Sequence, residues 1–361
     1  MTEAEVRGIL EGLGFEVACD VPGMLWVTVP SWRATKDISL KEDLLEEVGR
    51  MIGYDEIAPI APLVAATPAL ANPERLFHRR VRNMAVGQGF TEVYNYSFLS
   101  EESAALCGLD PKEHLRVANP IASDQTLMRI SLLPGVFKNI VENGKNYGAF
   151  RLFEIGREIH AQSESLPDEV SHVMAVSYAR EGDGAAGLFE LKHLAECLMT
   201  GVQVEPAAAR RFEHPERSGQ LRWRNEPVGR LFELHPGLGV EGRAAVLDVD
   251  LREMQKLDSR SVRQKPIRRF PTSAFDLSVI TGLREPVGVI AARLATAGAP
   301  DLLAVEFVRQ YTGAPLPEDR KSVSCRMTVG APDRTLSSDE VAAVRLRIID
   351  AMRGFGYELR V

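Results

Sequence analysis

Residues 323–360 read VSCRMTVGAPDRTLSSDEVAAVRLRIIDAMRGFGYELR. Positions 323–329 read as a strand, Ser337 and Glu340 are spaced as a capping box, 338–354 carry a helical pattern that stops at a glycine, and 357–360 read as a closing strand. Upstream, 275–280 and 305–311 read as strands with a helix at 287–297 between them. The order is therefore βαββαβ, the ferredoxin-like arrangement.

A polar run with Arg260, Arg263, Lys265, Arg268 and Arg269 marks a boundary before this unit. Ahead of it, 74–86, 135–145 and 188–200 read as helices, and 90–98, 150–155 and 244–249 as strands, an α+β pattern. Positions 58–73 hold four prolines among small residues and suit an extended linker. The first residues form another unit. Thr2 and Glu5 frame a helix striped by Val6, Ile9, Leu10 and Leu13, with Gly14 as its stop. A hairpin of 15–18 and 25–29 turns at Asp20-Val21-Pro22-Gly23. Ser39 and Glu42 then frame a second helix, striped by Leu44, Leu45, Val48, Met51 and Ile52 and ending at Gly53. Helix, hairpin and helix make a small winged-helix-like module. The expected domains are 1–72, 73–262 and 263–361, a multidomain α+β chain.

A length of 361 residues suits two or three domains, and 45% apolar with 26% charged residues excludes disorder, a collagen-like fibre and a disulfide scaffold. No apolar run approaches the roughly 18 residues of a membrane span, and no secretory leader is visible, so a soluble, cytosolic protein is expected. Cys19, Cys107, Cys197 and Cys325 form no CxxC pair and are expected to be reduced and mostly buried. Net charge is −7 over 1–72, −4 over 73–262 and +4 over 263–361, so a polyanion meets its best field in the C-terminal third.

Four acidic residues stand out. On the second helix Asp43 and Glu47 are four apart and Asp43 and Glu46 three apart, so their carboxylates share a surface that Asp37 can close over. Such oxygen donors suit Mg²⁺, although spacing alone more often marks a solvated helix face with acids near the positive end of its dipole. Gly237 to Gly242 spells GxGxxG without the strand before it or the helix inside it that a dinucleotide site needs, and reads as a loop. The seven histidines, His78, His114, His160, His172, His193, His214 and His235, show no metal-ligand spacing, and no nucleophile motif is present. In the C-terminal third Arg268, Arg269, Phe270, Arg309, Tyr311, Arg326, Arg334 and Arg360 fit a modest RNA-binding surface or an ordinary basic one.

Several segments together resemble one family. Pro30-Ser31-Trp32-Arg33, Asp37-Ile38, Glu42-Asp43-Leu44 and Glu46 to Tyr54 resemble the metal-binding winged-helix-like domain of bacterial phenylalanyl-tRNA synthetase β subunits. Gly89 to Phe98, Asn119-Pro120, Leu127 to Gly135, Leu152 to Arg157 and Glu233-Leu234-His235-Pro236 resemble their class II synthetase-like module, an antiparallel sheet with helices. Arg334 to Val341 and Gly356 to Arg360 resemble their ferredoxin-like anticodon-binding domain. The resemblance implies Mg²⁺ at Asp37, Asp43, Glu46 and Glu47. It also implies a catalytic α subunit as partner, two of each chain, with ATP and phenylalanine bound by α and tRNA held by the C-terminal domain.

Family members also carry an oligonucleotide-binding fold and an editing region that nothing here resembles, so editing of mischarged tRNA is not expected. The family's Arg-Asp-Leu run is Phe275-Asp276-Leu277 here, and its Phe-Asp before a tyrosine is Val308-Arg309-Gln310-Tyr311, which alters two polar contacts. Phe150 to Glu154 looks like the arginine-bearing strand with which class II enzymes grip ATP, but no glycine-rich segment ending in an arginine follows a later strand. Adenylyl transfer needs several positioned cations, so no catalytic residues are expected and the module reads as scaffold.

The expected function is thus a non-catalytic β subunit of phenylalanine–tRNA ligase. The alternatives are a free-standing nucleic-acid-binding protein, against which the acidic first module argues for DNA, and an autonomous ligase.

Overall fold

The computed structural model describes residues 1–163, 165–258 and 267–360. They fall into two compact units, Met1–Leu257 and Asp258–Val361. Arg260, Arg263 and Lys265 of the polar run lie outside the described residues. Among the described residues no helix is long and apolar enough to cross a membrane.

The first unit opens with α1 (Glu3–Gly12), the hairpin β1 (Glu16–Val21) and β2 (Met24–Thr28), and α2 (Lys41–Ile52). The capping box on α1 is present: the Thr2 amide donates to Glu5 at 2.6 Å, and the Glu5 amide to the Thr2 hydroxyl. Leu10, Phe15, Val17, Ile38 and Val48 close a small core. The expected Ser39/Glu42 frame of α2 is displaced by one residue. Asp43 is the capping carboxylate, accepting from the Ser39 and Leu40 amides at 2.7 and 2.8 Å, because the helix starts at Lys41 and places Asp43 at its third position. Residues 57–72 carry no helix or strand.

Next come α3 (Pro73–Gly87), β3 (Thr91–Glu92), β4 (Phe98–Leu99), α4 (Glu101–Leu106), β5 (Leu127–Met128), α5 (Leu133–Gly144), β6 (Ala149–His160), β7 (Asp168–Ala179), α6 (Ala185–Leu198), β8 (Gln203–Pro206), β9 (Glu213–Trp223), β10 (Glu226–Leu234), β11 (Arg243–Asp250) and α7 (Leu251–Leu257). Seven strands form one sheet in the order β3-β6-β7-β11-β10-β9-β8. All pairs are antiparallel except β3 with β6. The side-chain period of two splits the core. Phe153, Val173, Ala175 and Leu247 pack under α3, α6 and α7, whereas Met174, Val176, Phe232 and Val246 pack with Leu133, Val136 and Ile140 of α5. At Gly229 on β10, a Cβ would lie 2.1 Å from the carbonyl oxygen of Asp248 on β11, so these two strands approach as only glycine permits.

One expected strand is broken. Of 90–98 only Thr91–Glu92 joins the large sheet, and Phe98 pairs with β5 instead. The cause is Asn95, whose side chain turns inward to donate to the buried Glu154 at 2.8 Å and takes the chain off the ladder. The cysteines also differ in part: Cys107 and Cys325 are buried, whereas Cys19 and Cys197 are half-buried; all four are free thiols.

The second unit holds β12 (Ser273–Gly282), α8 (Val287–Gly298), β13 (Leu302–Tyr311), β14 (Arg320–Val329), α9 (Ser338–Gly354) and β15 (Glu358–Arg360), in the expected βαββαβ order. Its sheet runs β13-β14-β12-β15, all antiparallel. Leu277, Val279, Val323, Cys325 and Met327 meet Ile290, Leu294, Ile348 and Met352 of the two helices in a single core. The alternate residues Asp276, Ser278, Ser324 and Arg326 point to the other face, where they are exposed or half-buried.

Candidate functional sites

The helical spacing on α2 brings Glu47 against an arginine. Glu47 is 7% exposed, and both its oxygens accept from Arg33 at 3.0 Å while Arg50 adds a bond at 2.7 Å. Arg33 in turn reaches Asp37 through Nε at 2.7 Å. The guanidinium of Arg33, followed by that of Arg50, pulls the Glu47 carboxyl down to about 2. Asp43 is held below the usual carboxylate range by the amides of Ser39 and Leu40. Glu46 is exposed and has no ion-pair partner among the described residues. Asp37 and Glu47 are thus brought together through Arg33 instead of converging with Asp43 and Glu46 on one point. In kind, the donors fit a hard divalent ion. In arrangement, Arg33 already supplies the positive charge between two of them, so an ion must draw Asp37 and Glu47 away from it.

Register decides the basic candidates. Across the C-terminal sheet Arg360 stands opposite Ser278, Ser278 opposite Ser324, and Ser324 opposite Arg309, and the two serine hydroxyls are bonded at 2.8 Å. Arg309 and Arg360 make no ion pair among the described residues and flank this row. Arg326, one row along, is forked onto Asp276 at 2.9 and 3.1 Å. Arg334 lies before α9, bonded to Glu340 at 2.7 Å. Arg268, Arg269 and Phe270 are exposed in the segment leading to β12. Of the six candidate arginines, then, three share the open face, and Tyr311, opposite Ser322, lies on it too.

In the large sheet, Arg151 and Arg243 line one cavity of about 440 Å³ together with Ser177 and Glu190. Both cations are taken. Arg151 is forked onto Glu190 at 2.6 and 3.0 Å, and Arg243 reaches the fully buried Glu233, which also holds Arg217. One arginine that the sequence did not bring forward, Arg252, follows β11 directly and is forked onto Asp168 at 2.8 and 2.6 Å. Guanidiniums neutralised in this way are poor grips for a triphosphate.

Sequence reasoning also missed a cluster on the same sheet. His172 on β7 lies 2.8 Å through Nδ1 from Asp248 on β11 and 3.4 Å through Nε2 from Glu158 on β6. His160 Nε2 is 3.5 Å from the same Glu158 oxygen. Burial disfavours the charged imidazole of His172, but the bond to Asp248 and the fields of Asp248 and Glu158 outweigh it and raise the group to about 9. Burial pushes the Glu158 carboxyl up. The available signal was Asp248 inside the apolar run 244–249 and His172 just before the apolar run 173–176; the pairing itself depends on register.

Comparison with known proteins covers all three parts of the chain. Residues 57–251 match the phenylalanyl tRNA synthetase beta chain CLM domain, residues 1–54 the tRNA synthetase B5 domain, and residues 268–360 the ferredoxin-fold anticodon binding domain. A phenylalanine–tRNA ligase beta subunit of Solibacter usitatus is 58% identical over 358 residues, 99% of this chain and 47% of the relative. Those of Geobacillus kaustophilus and Syntrophus aciditrophicus are 29% and 31% identical, over 100% and 96% of this chain and 47% and 46% of the relatives. The chain spans about half the length of the curated relatives it matches. A pyrrolysyl-tRNA synthetase structure from Desulfitobacterium hafniense is 10% identical, covering 51% of this chain and 69% of that one, with a TM-score of 0.43, a likeness too weak to build on. Matched over more than half its length by one family model, the chain belongs to the phenylalanyl-tRNA synthetase beta-chain family.

Proposed function

We propose that this chain acts in the cytoplasm as the non-catalytic side of phenylalanine–tRNA ligase. It pairs with a catalytic α subunit, two copies of each, and α binds ATP and phenylalanine and attaches the amino acid to tRNA. The functional parts are 1–72, 73–262 and 263–361. The middle part is scaffold, since the arginines lining its cavity are committed to carboxylates. Mg²⁺ is taken by Asp37, Asp43, Glu46 and Glu47 once Arg33 is displaced. The C-terminal part holds tRNA. The observation that carries this reading is the open sheet face on which Arg309 and Arg360, without carboxylate partners among the described residues, flank Ser278 and Ser324 in one row. Backbone phosphates fit such a row.

Light scattering during size exclusion of this chain mixed with the α subunit tests the assembly, and a heterotetramer is expected. Filter binding of the complex to tRNA tests the face. Arg309→Ala and Arg360→Ala should each weaken binding and lower the salt slope by about 1. Separate peaks, with tRNA affinity unchanged in both variants, would sink the reading.

A further inference from the structure

Glu158, His172 and Asp248 come from three adjacent strands of the large sheet. His172 is directly opposite Gly156 on one side and Asp250 on the other, so Glu158 and Asp248 are its diagonal neighbours on the same face. Its Nδ1 makes a good hydrogen bond to Asp248 at 2.8 Å. The contacts to Glu158 are different. His172 Nε2 is 3.4 Å and His160 Nε2 is 3.5 Å from the same oxygen. A charge-assisted N–H···O bond is about 2.7–2.9 Å long, so neither contact is a strong one. Two donors bound tetrahedrally to one ion at about 2.0–2.1 Å stand about 3.3–3.4 Å apart, close to this spacing. The Asp248 bond completes a familiar arrangement, since a carboxylate on one ring nitrogen fixes the tautomer that offers the other to a metal.

Charge points the same way. Glu158 is 6% exposed and Asp248 is half-buried, yet among the described residues neither makes an ion pair with an arginine. The basic groups of this sheet face are committed elsewhere: Arg129 to Glu154 at 2.7 Å, Arg230 to Glu213 at 2.6 Å. One imidazolium leaves two carboxylates with a net negative charge in a desolvated place. A divalent ion, binding with loss of the imidazole proton, balances them.

We propose that Glu158 and His172 bind one zinc-class divalent ion, with Asp248 orienting His172 and the half-exposed His160 at the opening as a further ligand. Imidazole with carboxylate selects Zn²⁺, Co²⁺ or Ni²⁺ over Mg²⁺, so the site is separate from the acidic quartet on α2.

The test uses the full chain, stripped with a chelator and kept in excess Mg²⁺ so that oxygen-only sites are filled. Titration with Zn²⁺ by calorimetry and with Co²⁺ by visible spectroscopy should show one ion per chain. Asp248→Asn should weaken binding about 10–100-fold, the range for removing a group that orients a ligand, and Glu158→Gln should weaken it further. His172→Ala leaves two carboxylates without their cation and can unfold the sheet, so Glu158→Gln, with its fold checked by circular dichroism, is the deciding variant. Asp43→Asn should bind Zn²⁺ as the unaltered chain does. No stoichiometric Zn²⁺, or equal affinity in Glu158→Gln, overturns the proposal, as does a loss confined to Asp43→Asn.

Discussion

The acidic cluster on α2 and the cluster in the large sheet both gather carboxylates around a cation, but the cation differs. Near α2 it is the guanidinium of Arg33, charged at every accessible pH. In the sheet it is the imidazole of His172, whose proton can be lost. Their responses to pH therefore have opposite signs. Glu47 titrates at about 2, below its ordinary 4.5, so its stabilisation is present above pH 4.5 and is lost as the pH falls toward 2. His172 titrates at about 9, above its ordinary 6.5, so its stabilisation is full below pH 6.5 and is lost as the pH rises through 9. The clusters also differ in origin. In one, Arg33 and Glu47 lie 14 positions apart; in the other, the paired residues come from strands 76 positions apart.

The largest test of this contrast is Leu247→Ala. Leu247 is fully buried on β11 beside Asp248, and its loss should cost about 2–5 kcal/mol in denaturant unfolding. The Glu47 titration, followed by carboxyl NMR, should not move. A shift there would mean that the two clusters belong to one cooperative network.

Next in size are the two pH limbs. With a chelator present, the melting temperature should fall between pH 6.5 and 9, and Asp248→Asn, which removes the partner that raises His172, should flatten that limb. Arg33→Gln should move the acid limb up by about 1–2 pH units, the size of effect an adjacent guanidinium has on a carboxylate, and leave the alkaline limb in place. If both variants change both limbs, the assignment of opposite signs fails.

The smallest effect belongs to Asp43→Asn. Asparagine also accepts from the amides at a helix start, so melting should move less than in Asp43→Ala. Calorimetry that ranks them the other way would show that the charge of Asp43, and not its capping bonds, holds α2 in place.

What could be read from the sequence follows the same division between local and distant. The βαββαβ order, the linker, α1 and α2 were legible because caps and periodicity lie within a few residues. Strands β7 to β10 were not, since β7 is buried on both faces and lacks the alternation of a half-exposed strand. Asp37, Asp43, Glu46 and Glu47 were visible as a group, whereas the part played by Arg33 in joining Asp37 to Glu47 depends on the fold. Likewise Arg309, Arg326 and Arg360 share a face with Ser278 and Ser324 only through register, and Arg334, next to the capping box of α9, does not join them.

Gly229 places an unusual kind of constraint on this chain. It contributes no polar atom, yet any side chain there would drive β10 off the backbone of Asp248. A lineage can therefore lose the His172 cluster by a neutral-looking change in a silent neighbour, with every ligand residue still in its sequence.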